Sequence, residues 1–236
     1  MSYDPNEYRR AADESVYMPP QEAHAVRTAS FINKVYGLMT LGLFLTAFIA
    51  HSLFHYVPLE TLARIIVPCL VGELILVIVL SVAATKLSAM AAFLCFIGYA
   101  ALNGVTLSTL FYSYRLGSIA QAFFITGGTF GVMSLYGLLT KRDLTSLGNL
   151  LLMGLFGLII TSFVNLFLKS SVVELVTSVI GIIIFVGLTA YDTQKIKKIN
   201  DMGIDHGGVA VIAALSLYLD FINLFLYILR FTGRRK

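Results

Sequence analysis

The chain has 236 residues, of which 58% are hydrophobic and 13% charged, and its mean hydropathy is +0.84. That lies outside the range of soluble domains. The net charge of +4 comes from lysines and arginines in short polar stretches, so it reports topology rather than nucleic-acid binding, and no nucleic-acid partner is expected.

Residues 1–32 are polar, contain Pro19–Pro20 and lack the basic start and short apolar core of a signal peptide. They read as a flexible cytoplasmic tail. Seven apolar runs follow within a membrane domain spanning 33–231, at about 33–55, 62–84, 87–112, 118–139, 144–168, 171–194 and 209–231. Most have the ~20 residues that cross a hydrocarbon core of ~30 Å. Residues 232–236 form a basic C-terminal tail. Trp is absent, so an interfacial belt must come from tyrosines such as Tyr36, Tyr56, Tyr112, Tyr114 and Tyr227. Cys69 and Cys95 sit inside apolar runs without CxxC spacing, which argues for small core residues rather than a disulfide or a metal site.

Orientation follows from lysine and arginine bias. The N-terminal tail and the loops on its side carry ten (Arg9, Arg10, Arg27, Lys34, Lys86, Lys141, Arg142, Lys195, Lys197, Lys198), against three (Arg64, Arg115, Lys169) on the other side. The N-terminus is therefore expected in the cytoplasm. Seven crossings then place "RFTGRRK" outside, against the bias, unless the last run is re-entrant. Its 23 residues favour a full crossing.

The last run carries an isolated carboxylate, Asp220, with no Lys or Arg within a helical turn. An ionised Asp at a helix centre costs roughly 2.5–3.5 kcal/mol on insertion scales. Steps of three and four align Ala213, Ser216, Asp220, Asn223 and Tyr227 in one narrow polar stripe, which must face protein or water. One reading is an interhelical hydrogen-bonding face with a protonated Asp. The other needs a second titratable group, and Asp192 supplies it at the end of the sixth run, with Thr189 three residues before and Lys195 three after. Asp192 also reads as a helix-end residue paired to Lys195 at the headgroups. Two carboxylates in contact at low dielectric cannot both ionise cheaply, so such a pair titrates as a unit. Glu73, midway along the second run, reads either as an ion-pathway ligand or as a neutral side chain bonded across helices. Asn103 and Asn165 are expected to bond between helices. His51 and His55, four residues apart, lack further ligands and read as solvated loop residues.

The stretches "GLTAYDTQKIKK" and "ALSLYLDFINLFLYILRF" strongly resemble the Bax inhibitor-1 (transmembrane Bax-inhibitor-motif) family, particularly its bacterial inner-membrane members. The resemblance extends over all seven runs, including "TKRDLTSLGNLLLMGLFGLI". It implies an all-α polytopic membrane protein in which two triple-helix layers wrap a central C-terminal helix. It also implies a hydrogen-bonded pair, Asp192 and Asp220, that senses pH and gates a calcium leak. On that reading the pair is a transient calcium site, with Glu73, Ser216 and Asn223 as candidate pathway residues, because two carboxylates fall short of the 6–8 oxygens calcium prefers. Some relatives carry an arginine latch near the cytoplasmic end of the second helix; "SVAATKLS" offers only Lys86 there, a weaker bidentate partner.

The expected function is therefore a pH-sensitive calcium leak channel of the inner membrane, with calcium and the lipid bilayer as partners and no cofactor. An alternative is an interaction protein of membrane-protein quality control or of a stress or cell-death response. Some bacterial relatives modulate a membrane-bound ATP-dependent protease, for which the polar tail would be the handle. An intramembrane aspartyl protease is a minor alternative: "LYL" precedes Asp220 where GxGD is required, and no PAL motif follows, so no enzyme is expected.

Overall fold

A computed structural model describes residues 19–82, 87–201 and 208–236. Its long helices are α1 (Pro20–Tyr56), α2 (Leu59–Val82), α3 (Ala89–Leu107), α4 (Leu116–Leu139), α5 (Thr145–Leu168), α6 (Ser171–Asp201) and α7 (Val209–Thr232). All seven contain spans long and apolar enough to cross a membrane. This is a helical membrane protein, as expected of a solvent that forces every backbone donor and acceptor to be paired within its own segment.

Two helices outrun their apolar stretches. α1 begins at Pro20, with proline in its first turn where no backbone donor is needed, so residues 20–32 continue the helix rather than preceding it. Its 37 residues rise about 55 Å, well beyond a bilayer core. α6 likewise continues through "YDTQKIKKIND" to Asp201. The two overhangs are tied together by Asn200 Nδ2 donating to Thr28 Oγ1 at 2.7 Å. The third run does not continue as one regular helix. Thr106, Ser108 and Thr109 hydroxyls donate to the carbonyls of Asn103, Val105 and Thr106, and this local competition accompanies the break between α3 and a single turn at Leu110–Ser113.

α3 packs against α1 and α2, and α6 packs against α4 and α5, giving two three-helix layers; α7 lies between them in contact with α1, α3, α4 and α6. Burial follows this placement. Within its most apolar stretch α7 is 67% buried and α5 only 6%. α6 approaches its neighbours closely where side chains are missing: a Cβ on Gly137 of α4 would strike the Ala190 carbonyl, and one on Gly181 would sit 2.6 Å from the Tyr227 ring of α7. Between α1 and α4 an apolar groove of about 1020 Å³, lined by Phe44, Phe123, Phe124 and Phe130, remains open.

α7 runs the full length of the bundle. It starts beside the end of α6 and finishes where Arg115 N donates to Arg234 O at 3.2 Å and Lys236 N donates to Ser113 O at 3.0 Å. The last helix is long and apolar enough for a seventh crossing, and Thr28 and Lys236 lie at opposite ends of the bundle. The basic tail is paired there: Arg235 bridges to Glu174, and Lys236 Nζ donates to Phe111 O at 2.7 Å and lies over the Phe54 ring. These contacts hold the Arg235 and Lys236 side chains at that end of the bundle.

Candidate functional site

The polar stripe of α7 faces α6. Tyr227 lies over Gly181 and stacks on Phe185, while Ala213 and Ser216 share a cavity of about 220 Å³ with Asp192, Lys195, Ile196 and Ile199 of α6. Asp220 sits between these two points, one turn deeper than Ser216, and is 4% exposed. The two aspartates read from the sequence lie on the facing helices α6 and α7, and among the described residues no hydrogen bond joins them.

The remaining polar groups at that end of α6 have other commitments. Gln194 accepts from Leu144 N and donates to Arg142 O, both near 2.9 Å, Lys197 donates to Leu138 O at 3.0 Å, and Lys198 bridges to Asp143 at 2.7 Å. These contacts clamp the α4–α5 connection onto α6 and leave Lys195 as the lysine of "TQKIKK" that lines the Asp192 cavity. The adjacent Thr193 hydroxyl joins Tyr36 of α1 at 3.3 Å and Ser134 of α4 at 3.4 Å, so three helices meet beside Asp192. Asp192 faces the cavity and is only half-buried.

Asp220 Oδ2 is buried with no hydrogen-bond donor among the described residues. Buried polar atoms in that condition are rare. Two ionised carboxylates are both acceptors, so a bond within the pair requires a proton on one of them. Asn223, on the same stripe, donates Nδ2 to its own Leu219 O at 2.8 Å, which leaves its Oδ1 as an acceptor.

Glu73 lies elsewhere. It accepts from Asn103 Nδ2 at 3.2 Å and shares the Thr106 hydroxyl proton, 2.9 Å away, with the Asn103 carbonyl; Asn103 Oδ1 accepts from Tyr218 OH at 3.1 Å; and Tyr218 OH accepts from Thr46 Oγ1 at 2.6 Å, whose one proton is shared with Ala100 O at 2.8 Å. This network joins α1, α2, α3 and α7 on the face of α7 turned away from α6. The structure therefore places Asp192 and Ser216 in one cavity, with Asp220 one turn deeper on the same stripe, and gives Glu73 different neighbours. Asn103 bonds between helices as expected. Asn165 does not: it caps the α5–α6 connection through Ser170, because it sits in the last turn of α5, where carbonyl and amide groups are left open. Lys86, the candidate latch, lies outside the described residues. His55 Nδ1 bonds to His51 O at 3.0 Å, and the described residues contain no group of three metal-ligating side chains. Sequence reasoning missed the Tyr218–Thr46 junction, whose one signal is a tyrosine two residues from Asp220 and so on the far side of the helix.

A family model described as inhibitor of apoptosis-promoting Bax1 matches residues 28–236, a range that contains both aspartates and all of their neighbours above. The chain belongs to this Bax inhibitor family. It is similar to the inner membrane protein YbhL of Escherichia coli, 46% identical over 217 residues that cover 88% of this chain and 92% of the relative. An uncharacterized protein of Borreliella burgdorferi is 44% identical over 87% of this chain and 92% of its own length, and one of Rickettsia prowazekii is 44% identical over 87% and 90%. None of these three is named for an enzymatic activity.

Proposed function

We propose that the chain is a pH-sensitive calcium leak channel of the inner membrane, gated by Asp192 and Asp220, with its N-terminus in the cytoplasm. The observation that carries this reading is the buried Asp220 Oδ2, left without a donor beside a second carboxylate that opens onto a cavity at the Lys195 end of the bundle. No neighbouring donor satisfies that oxygen, and a proton on the second carboxyl would supply one. When one proton is shared, the carboxyl of one aspartate donates to the other and ties α6 to α7. When both ionise, their repulsion favours separation or a cation between them. Carboxylate oxygens suit calcium, and Ser216 Oγ and Asn223 Oδ1 extend the set along the stripe, still short of the full shell that would hold the ion tightly. Such a site passes an ion rather than storing it.

The test is calcium flux through the purified chain in liposomes across roughly pH 5–8, on either side of neutrality. Flux that follows pH in the native chain and loses that response when both aspartates become Asn supports the proposal. A full pH response in the double variant would make the aspartates structural and favour an interaction protein instead. Reporter fusions after Lys236 test the orientation, and a cytoplasmically active reporter there would overturn it.

A further inference from the structure

A second polar cavity lies at the opposite end of the bundle from Asp192. It has a volume of about 350 Å³ and is bounded by α5, α6, α7 and the C-terminal tail; Ser162, Asn165, Glu174, Thr177, Arg230 and Arg235 supply its polar lining. We infer that this cavity binds a phosphate group at the membrane interface, that of a phospholipid headgroup seated against α5.

Three observations carry the assignment. The first is a prepared cation. Gly181 has no side chain, so the Tyr227 ring lies directly on α6, stacked on Phe185. The guanidinium of Arg230 is held over that ring, 5.3 Å from its centroid. Among the described residues this is its one interaction, so its donors remain available in a planar fork suited to phosphate. The second is an unused hydroxyl: Ser162 Oγ lines the same cavity and is buried with no hydrogen-bond partner. Nothing about lipid-facing packing calls for a serine there.

The third is the charge balance and the depth. Glu174 is the one carboxylate in the lining, and it is paired with Arg235. Two guanidiniums against one carboxylate leave a net positive cavity. Ser162 and Asn165 lie in the final turns of α5, Thr177 in the second turn of α6 and Arg230 in the last turn of α7. That is headgroup depth. Beside the cavity, Phe163 and Phe167 of α5 are 62% and 75% exposed and offer an apolar track for an acyl chain.

The test is native mass spectrometry of the full chain, extracted in mild detergent and supplied with dioleoyl phosphatidylglycerol in one arm and inorganic phosphate in the other. The native chain should retain one phosphatidylglycerol. Arg230→Gln should lose about tenfold in affinity, the size of one charge-assisted hydrogen bond. Ser162→Leu, which fills the cavity without changing charge, should reduce retention in the same way. Lys169→Gln, an exposed cation at the same end but outside the cavity, should retain lipid as the native chain does. Thermal midpoints measured without lipid identify any variant that fails to fold, and the Ser162 and Arg230 changes approach the site from different helices. Binding of inorganic phosphate with the same dependence on Arg230, without lipid retention, would keep the phosphate site and overturn its lipid source. Equal retention in the native chain, Arg230→Gln and Ser162→Leu, or an equal loss in Lys169→Gln, would overturn the site.

Discussion

The two faces of α7 carry polar groups of similar burial and opposite condition. Toward α1, α2 and α3, Tyr218 ends a network in which Glu73, Asn103, Thr106 and Thr46 are all bonded. Toward α6, Asp220 keeps a buried oxygen without a donor. Complete networks rigidify and specify a packing, whereas an orphan buried atom marks a place where the protein holds something in reserve. The first face fixes α7 in the bundle, and on the proposed reading the second is where α7 would respond to protons.

The strongest way to break this comparison is at the aspartates. Asp220→Asn and Asp192→Asn should each abolish most of the pH dependence of calcium flux in liposomes, because neither leaves a coupled pair. The double variant should be no flatter than either single, since members of one unit are not additive. Additive losses would mean that the two carboxyls titrate independently.

Tyr218→Phe probes the other face. It removes a hydroxyl bonded to both Thr46 and Asn103 and leaves the latter's buried oxygen short of a donor, so it should destabilise the protein by about 1–3 kcal/mol. A lower thermal midpoint in detergent with an unshifted flux midpoint is the expected pair of results. A shifted flux midpoint would mean that the two faces are coupled through the helix.

Glu73→Gln should cost less, about 0.5–1.5 kcal/mol, because an amide keeps one acceptor for Thr106 or Asn103. Its flux midpoint should also stay in place, while conductance or ion preference changes if Glu73 lies on the ion's route. Native conductance and selectivity in this variant would confine Glu73 to the structural network.

The smallest effect is expected at Asp143. Its carboxyl is held well below the usual range, first by the Lys198 hydrogen bond and then by those from Thr145. A lowered folded value means that its contribution is complete above the ordinary carboxylate range near 4 and is lost only in stronger acid. Asp143→Asn should therefore leave the flux profile between roughly pH 5 and 8 unmoved. A shift in that window would place pH sensing in the α4–α5 clamp rather than in the aspartate pair.

Hydropathy alone located the crossings, because a bilayer leaves a spanning segment no choice but a helix that satisfies its own backbone. It placed α7 from its 23-residue, largely apolar run, and it singled out Asp220 because a carboxylate without a neighbouring cation is costly there. Hydropathy could not reveal residues 20–32 as helix, since that overhang is wetted and its stabilising partner, Asn200, is 172 positions away. Helical periodicity gave the stripe Ser216–Asp220–Asn223–Tyr227 but not the helix it faces. That was decided where Tyr227 meets Gly181. The sequence treats Glu73 and Asp220 as similar buried acids; only the packing of α3 against α2 and α7 supplies Asn103 and Thr106 to one and leaves the other bare. Arg230 and Ser162 belong to helices 68 positions apart in the chain, and neither carries a local pattern that joins them. A side chain's intrinsic cost in the membrane is a property of its own segment, whereas whether that cost is met depends on partners that only the assembled bundle brings within hydrogen-bonding distance.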